Sequence, residues 1–225
     1  MQGSLMLDIG GTFLTAADRH LLRQPEVCGV ILFSRNIEHP QQVRELCRAI
    51  RAVRSDLLIG VDQEGGRVQR LRQGFVALPA MGCLIEAANP EQLAEDCGWL
   101  MAWEVLAMGI DFSFAPVLDL NYGRSTVIGL RSFGADADTV VRLAGAFLKG
   151  MRAAGMPAVG KHFPGHGWVT ADSHVDIPVD ERSFAQINQA DLQPFKRLQS
   201  HLAGMMPAHV IYPQVDTAPA GFSKI

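Results

Sequence analysis

Apolar residues in this chain come in short runs, and between the runs they recur every three or four positions. The runs at Leu5–Ile9, Gly29–Phe33, Leu57–Val61, Phe112–Leu118, Ala158–His162 and Gly204–Ile211 predict six short strands. The stretches between them predict helices over Thr15–Gln24, Pro40–Arg54, Glu91–Met108, Thr139–Ala154 and Phe184–Gln199. The second of these has proline in its first turn and carries Val43, Leu46, Cys47 and Ile50 on one face.

Short apolar strands alternating with amphipathic helices indicate a parallel sheet of βα units. Most of the runs end in polar groups: Asp8, Arg35 with Asn36, Asp62 with Glu64, Asp119, Lys161 with His162, and His209. In a (β/α)8 barrel the strand C-termini meet on one rim, where active sites are built. An open doubly wound sheet gathers such groups only near its switch point. The expected fold is therefore α/β, a (β/α)8 TIM barrel with about six βα units visible, and residues 1–225 form one domain.

Composition narrows the function classes. The 225 residues are 48% hydrophobic and 19% charged, which is globular and not disordered. A net charge of −3 lacks the basic footprint of a nucleic-acid binder. No apolar run is long enough to span a membrane, and the first ten residues lack the pattern of a secretory signal. Cys28, Cys47, Cys83 and Cys97 form no CxxC pair and are expected to be buried free thiols of a reducing compartment. Together these features favour the cytoplasm.

The densest chemistry lies in Lys161-His162-Phe163-Pro164-Gly165-His166-Gly167, followed by Asp172-Ser173-His174. Pro164 and the two glycines exclude a regular helix, so His162 and His166 are not the paired ligands of a helical zinc protease. A tight loop here would present Lys161 and His162 as donors to a ligand. Asp172 and His174 are spaced to form an acid/base dyad, the carboxylate fixing the imidazole tautomer; a simple polar turn is the alternative. Asp62 to Arg70 supplies two carboxylates and two arginines around Gly65-Gly66, suited to sugar hydroxyls or to an internal salt-bridge network. Arg131 is a possible third contact, although a lone loop arginine is usually a solvated charge. Trp99 and Trp103, four apart on a helix, are expected in the core.

With these motifs in place, the chain resembles the bacterial β-N-acetylhexosaminidases of glycoside hydrolase family 3 that serve peptidoglycan recycling. The resemblance is collinear from Leu5 to Phe222. It is carried by Gly29 to Asn36, Val61 to Arg70, Phe114 to Asp119, Lys161 to Gly167, Asp172-Ser173-His174 and Met206 to Val210. It implies a (β/α)8 barrel without cofactor or metal. It also implies hydrolysis of the β-1,4 bond between N-acetylglucosamine and 1,6-anhydro-N-acetylmuramic acid, with or without a stem peptide. Matched by motif, Asp62, Arg70, Arg131, Lys161 and His162 would bind the N-acetylglucosamine. His174 would be the general acid/base, held by Asp172, in a retaining mechanism. The implied partner is the saccharide alone, with no nucleic acid and no membrane, and the full-length enzyme would be a monomer.

Two departures stand out. Leu130 occupies a position before Arg131 where the family usually has an acid. The family's nucleophile, an aspartate in a Ser-Asp-Asp motif after strand seven, has no counterpart in these residues. The expectation is that residues 1–225 are the greater part of a longer enzyme and are inactive alone; Asp119 would be the substitute carboxylate to test. Two rival readings are a sugar-binding fragment without catalysis and a metal-dependent barrel hydrolase using His162, His166, His174 and His209.

Overall fold

A computed structural model describes residues 3–170 and 178–224. In chain order it holds β1 (Leu5–Leu7), α1 (Ala16–Leu22), β2 (Val27–Leu32), α2 (Pro40–Val53) and β3 (Leu58–Val61). A short hairpin of β4 (Gln63–Gly65) and β5 (Val68–Gln69) follows, then α3 (Pro90–Ala107), β6 (Phe112–Ser113), α4 (Ala137–Ala153) and β7 (Val159–Phe163). The last elements are α5 (Phe184–Gln189), α6 (Leu192–Leu198), β8 (Gly204–Pro207), β9 (Ile211–Tyr212) and β10 (Asp216–Pro219).

β1, β2, β3 and β6 pair side by side, all parallel. Parallel bridges from Ser113 to Ala158 and from Val117 to Lys161 join this sheet to the parallel pair β7–β8. The result is an arc of parallel strands in sequence order, with helices on the outside: barrel-type βα topology. Among the described residues β1 pairs only with β2, and β8 only with β7.

Local chemistry starts five of the six described α-helices. Thr15 and Ser183 form capping boxes with Asp18 and Gln186, and Asp136 accepts from the Thr139 amide at 2.9 Å. Pro40 and Pro90 open α2 and α3, where a missing N–H costs nothing. The apolar face expected on α2 is inside: Val43, Leu46, Cys47 and Ile50 are all buried against the sheet residues Val30, Leu32, Ile59 and Val61.

Five expectations need correction. The strand expected over Phe112–Leu118 pairs with β3 only at its first two residues. Pro116 has no N–H to continue the ladder, while the Leu118 N–H donates to the Lys161 carbonyl and the Lys161 N–H to the Pro116 carbonyl. The strand expected over Gly204–Ile211 stops at Pro207, and Ile211 opens the separate short strand β9.

The helix expected over Phe184–Gln199 is two helices. Pro194 has no N–H for the Ala190 carbonyl and crowds it, and the chain breaks there. Asp191, at the break, is buried and accepts from Arg182 Nη1 at 2.7 Å and Tyr122 Oη at 3.0 Å.

Trp99 and Trp103 are 44% and 55% exposed and stack on each other on the outer face of α3. The opposite face, with Ala94, Gly98, Met101 and Val105, is the one that packs inward.

All four cysteines are free, yet only Cys47 and Cys97 are buried; Cys28 is half-buried and Cys83 exposed. Burial pushes the Cys47 thiol up to about 12 and the Cys97 thiol to about 11, which makes both inert.

Candidate active site

The residues after β3 are held by buried amides. The Gln63 side chain accepts from the backbone N–H groups of Arg70 and Leu71 and donates to the Leu71 carbonyl. The Gln63 N–H donates to Ser113 Oγ at 2.9 Å. This bracing fixes the β4–β5 hairpin, and with it the directions of Asp62, Glu64 and Arg70.

The loop leaving β7 is fixed by close contacts. A Cβ on Gly167 would lie 1.8 Å from the Leu120 carbonyl oxygen, and one on Gly165, whose φ is +143°, would lie 2.6 Å from Asp191 Cβ. Only glycine fits at either place. Tyr212 Oη donates to the Gly165 carbonyl at 2.7 Å. The Lys161–His162 and Phe163–Pro164 peptides in this segment are both cis.

Between these two braced segments lies a cleft of about 460 Å³, a size suited to a small ligand. Asp62, Arg70, Arg131, Lys161 and His162 all line it. Lys161, 2% exposed at its side chain, places Nζ 2.8 Å from Asp62 Oδ1 and 2.6 Å from Glu64 Oε1. Arg131 grips Glu64 with two parallel bonds, each 2.8 Å long. Arg70 Nη2 is 3.7 Å from Asp62 Oδ2, an ion pair too long for a hydrogen bond.

Counting bonds shows what remains for a ligand. Lys161 spends two of its three N–H groups on carboxylates and keeps one. Among the described residues no donor comes within hydrogen-bond distance of Asp62 Oδ2, which leaves it as an acceptor for a hydroxyl. His162 Nδ1 is 2.6 Å from Asp119 Oδ2, which leaves Nε2 as its free ring nitrogen. One cleft thus offers an acceptor, an ammonium donor and an imidazole within reach of one another, the set a sugar ring needs.

Electrostatics keeps the two buried carboxylates behind this set charged. Burial pushes the Glu64 carboxyl up, but Lys161 and Arg131 outweigh it and hold it at about 2. Asp119 behaves likewise: burial raises it, and His162 with the His166 amide brings it below the usual carboxylate range. The salt-bridge reading of Asp62 to Arg70 does not exclude the sugar reading, since the ion pairs orient the same groups that line the cleft.

Arg131 is not the solvated charge a lone loop arginine would be; its side chain is 11% exposed. Leu130, the departure noted beside it, points outward at 56% exposure. Glu64 and Asp119 are the residues that sequence reasoning did not assign to the site. Their signal was a carboxylate at a strand end, which does not tell a ligand group from a brace. Asp172 and His174 lie outside the described residues. Among the described residues no group of three or more His, Cys, Asp or Glu is placed to hold a metal ion, and no helix is long and apolar enough to cross a membrane.

A polar cleft at the strand C-termini of a parallel barrel arc lies where (β/α)8 barrel enzymes build their active sites. Residues 6–225 match the model of the glycosyl hydrolase family 3 N-terminal domain, and the chain belongs to that family. It is 67% identical over its whole length to a β-hexosaminidase of Pseudomonas aeruginosa, of which it covers 68%. Among solved structures it resembles NagZ from Neisseria gonorrhoeae in complex with N-trifluoroacetyl-D-glucosamine, with 46% identity and a TM-score of 0.95 over 99% of this chain and 68% of that one. A structure of the same Neisseria protein with zinc ion matches at a TM-score of 0.94, again with 46% identity over 99% of this chain and 68% of that one.

Proposed function

We propose that this chain carries the barrel domain of a retaining β-N-acetylhexosaminidase. Its substrate would be N-acetylglucosamine joined β-1,4 to 1,6-anhydro-N-acetylmuramic acid, with or without a stem peptide, in peptidoglycan recycling. The observation that carries the reading is the meeting of Asp62, Arg70, Arg131, Lys161 and His162, drawn from separate segments, in one cleft. The names of the similar proteins and the amino-sugar analogue in one of them support it.

In this reading Asp62 accepts from ring hydroxyls, and Lys161 and His162 donate to oxygens of the same sugar. Arg70 and Arg131 complete the cradle. His174, oriented by Asp172, protonates the leaving oxygen and then deprotonates the incoming water. An imidazole suits both steps because it titrates near neutral pH. The nucleophilic aspartate of the family motif is not among the 225 residues, so these residues alone are read as inactive. The reading includes one barrel domain over 1–225, action on the saccharide without a protein partner, a monomeric enzyme and a cytoplasmic location.

The test uses the intact enzyme and the natural disaccharide. N-acetylglucosamine should be released with retained β configuration at the first turnover, followed by proton NMR. Asp62→Ala should lower kcat/KM on the order of 10²-fold while circular dichroism and melting stay near the wild type. Release of the α anomer, or an Asp62→Ala protein that keeps full activity, would overturn the reading.

A further inference from the structure

We infer that Glu64 is a positioning residue for the sugar-binding groups: it touches no substrate, but sets where Lys161 and Arg131 present theirs. The inference rests on the amino-sugar reading of the cleft and extends it to a residue that lines the cleft but whose carboxylate is taken up by the contact groups themselves.

Glu64 sits in β4 and is 3% exposed. Both of its oxygens are occupied. Oε1 accepts from Lys161 Nζ at 2.6 Å and from Arg131 Nη2 at 2.8 Å; Oε2 accepts from Arg131 Nε at 2.8 Å. A carboxylate so engaged has little capacity left for a ligand hydroxyl, and it is held charged, so it is no proton donor at neutral pH. Its partners come from two other segments: Lys161 from β7, and Arg131 from the single turn Gly129–Arg131 after β6. Glu64 is the atom group on which three segments of the rim meet.

The geometry shows what its loss would do. Lys161 and Arg131 are both cations with little access to water. Without Glu64, among the described residues Lys161 would keep its bond to Asp62, the open acceptor of the cleft, and Arg131 its bond to the Val127 carbonyl at 3.1 Å. Both would drift from their places by a fraction of an ångström or more. A displacement of about 1 Å at such groups costs on the order of 10²-fold in rate.

The experiment is kinetic, on the intact enzyme. Glu64→Gln keeps the shape but puts an amide NH2 where an acceptor is needed. It should lower kcat/KM on the order of 10²-fold, mostly in kcat. Calorimetric binding of N-acetylglucosamine should weaken roughly tenfold. In an Arg131→Ala background the same change should cost much less, because one of its two clients is gone. Glu64→Asp keeps the charge but falls one methylene short; it should fold and still lose activity per folded molecule, which covers the case of a Gln variant that does not fold.

Unchanged kcat and KM in a folded Gln or Asp variant overturns the inference, as do strictly additive losses. If Arg131→Ala and Lys161→Ala are also without effect, the amino-sugar reading has failed. If those two lose activity and the Glu64 variants do not, only the positioning role has failed.

Discussion

His162 Nδ1 stands 2.6 Å from Asp119 Oδ2, and that contact decides what each residue can do. Asp119 is fully buried and also accepts from the backbone N–H groups of His166, at 2.6 Å, and of His162, at 3.3 Å. Its lone pairs are spoken for by donors of the protein. It is an orienter of His162 and is not presented to attack an anomeric carbon, so it does not suit the substitute-nucleophile role.

Asp119→Asn tests this directly. The amide would place an N–H against Nδ1 and favour the opposite tautomer of His162, as happens when an orienting carboxylate is lost. In the intact enzyme kcat/KM should fall roughly 10- to 100-fold. A fluorosugar that traps the glycosyl-enzyme should label no peptide containing Asp119. Recovery of labelled Asp119 by mass spectrometry would make it the nucleophile after all.

The general acid is tested by the leaving group. If His174 protonates it, His174→Ala should lose on the order of 10²–10⁴ in kcat on the natural disaccharide. An aryl glycoside whose phenolate leaves unaided should lose far less in the glycosylation step. Equal losses on the two substrates would take His174 out of the role.

Much of this was legible in the chain. Apolar runs of four or five residues ending in charge located the strands and the rim, because burial on both faces of a parallel strand leaves no polar position until the strand ends. Asp62, Lys161 and His162 could be read in the same way. Asp119 and Glu64 could not be ranked, since whether a strand-end carboxylate faces the cleft or a cation behind it depends on partners far along the chain, Lys161 and Arg131 for Glu64 and His162 for Asp119. The division of Phe184–Gln199 was missed because the amphipathic period runs through it; Pro194 marked the break. The Trp99–Trp103 pair was misplaced because α3 carries apolar residues on its outer face as well as its inner one, so hydrophobicity alone does not tell the two apart.

Metal dependence is tested by chelation. The proposed mechanism moves protons with His174 and charge with carboxylates, so exhaustive EDTA treatment should leave the intact enzyme's kcat unchanged. The zinc in a Neisseria relative's structure makes the control worth running. Loss of activity with EDTA, regained with zinc and with no other divalent ion, would favour the metal-dependent reading.

The polypeptide of residues 1–225 expressed by itself should show no turnover of β-N-acetylglucosaminides. It contains no Ser-Asp-Asp motif, and loss of a nucleophile alone abolishes covalent catalysis. The exposed side chains of Leu5 on β1 and Met205 on β8 flank strand edges that are unpaired among the described residues, a pattern that invites association. Light scattering should therefore show aggregation on concentration. A monodisperse, cooperatively melting 225-residue protein with measurable turnover would sink both expectations.

Acid stability should report Glu64. An unfolded glutamate titrates near 4.3, and in the fold Lys161 and Arg131 hold this one at about 2 against the opposing effect of burial. A carboxyl whose folded value lies below its unfolded value contributes stability that is fully present above the unfolded value. That contribution drains away as pH falls through the window down to the folded value, because there the unfolded chain binds the extra proton. The window here runs from about pH 5 to about pH 2, and the contribution at stake is on the order of 3 kcal/mol. Asp119, also lowered, contributes to the same acid limb. The comparison must therefore be between wild type and Glu64→Gln, by urea unfolding of the intact enzyme at a series of pH values. Glu64→Gln should be the less stable protein at neutral pH, and its deficit should narrow steadily as the solution is acidified through that window. Curves that stay parallel down to the acid end would mean that Glu64 carries no proton-linked stability and that its pairing with Lys161 and Arg131 is not the strong one described.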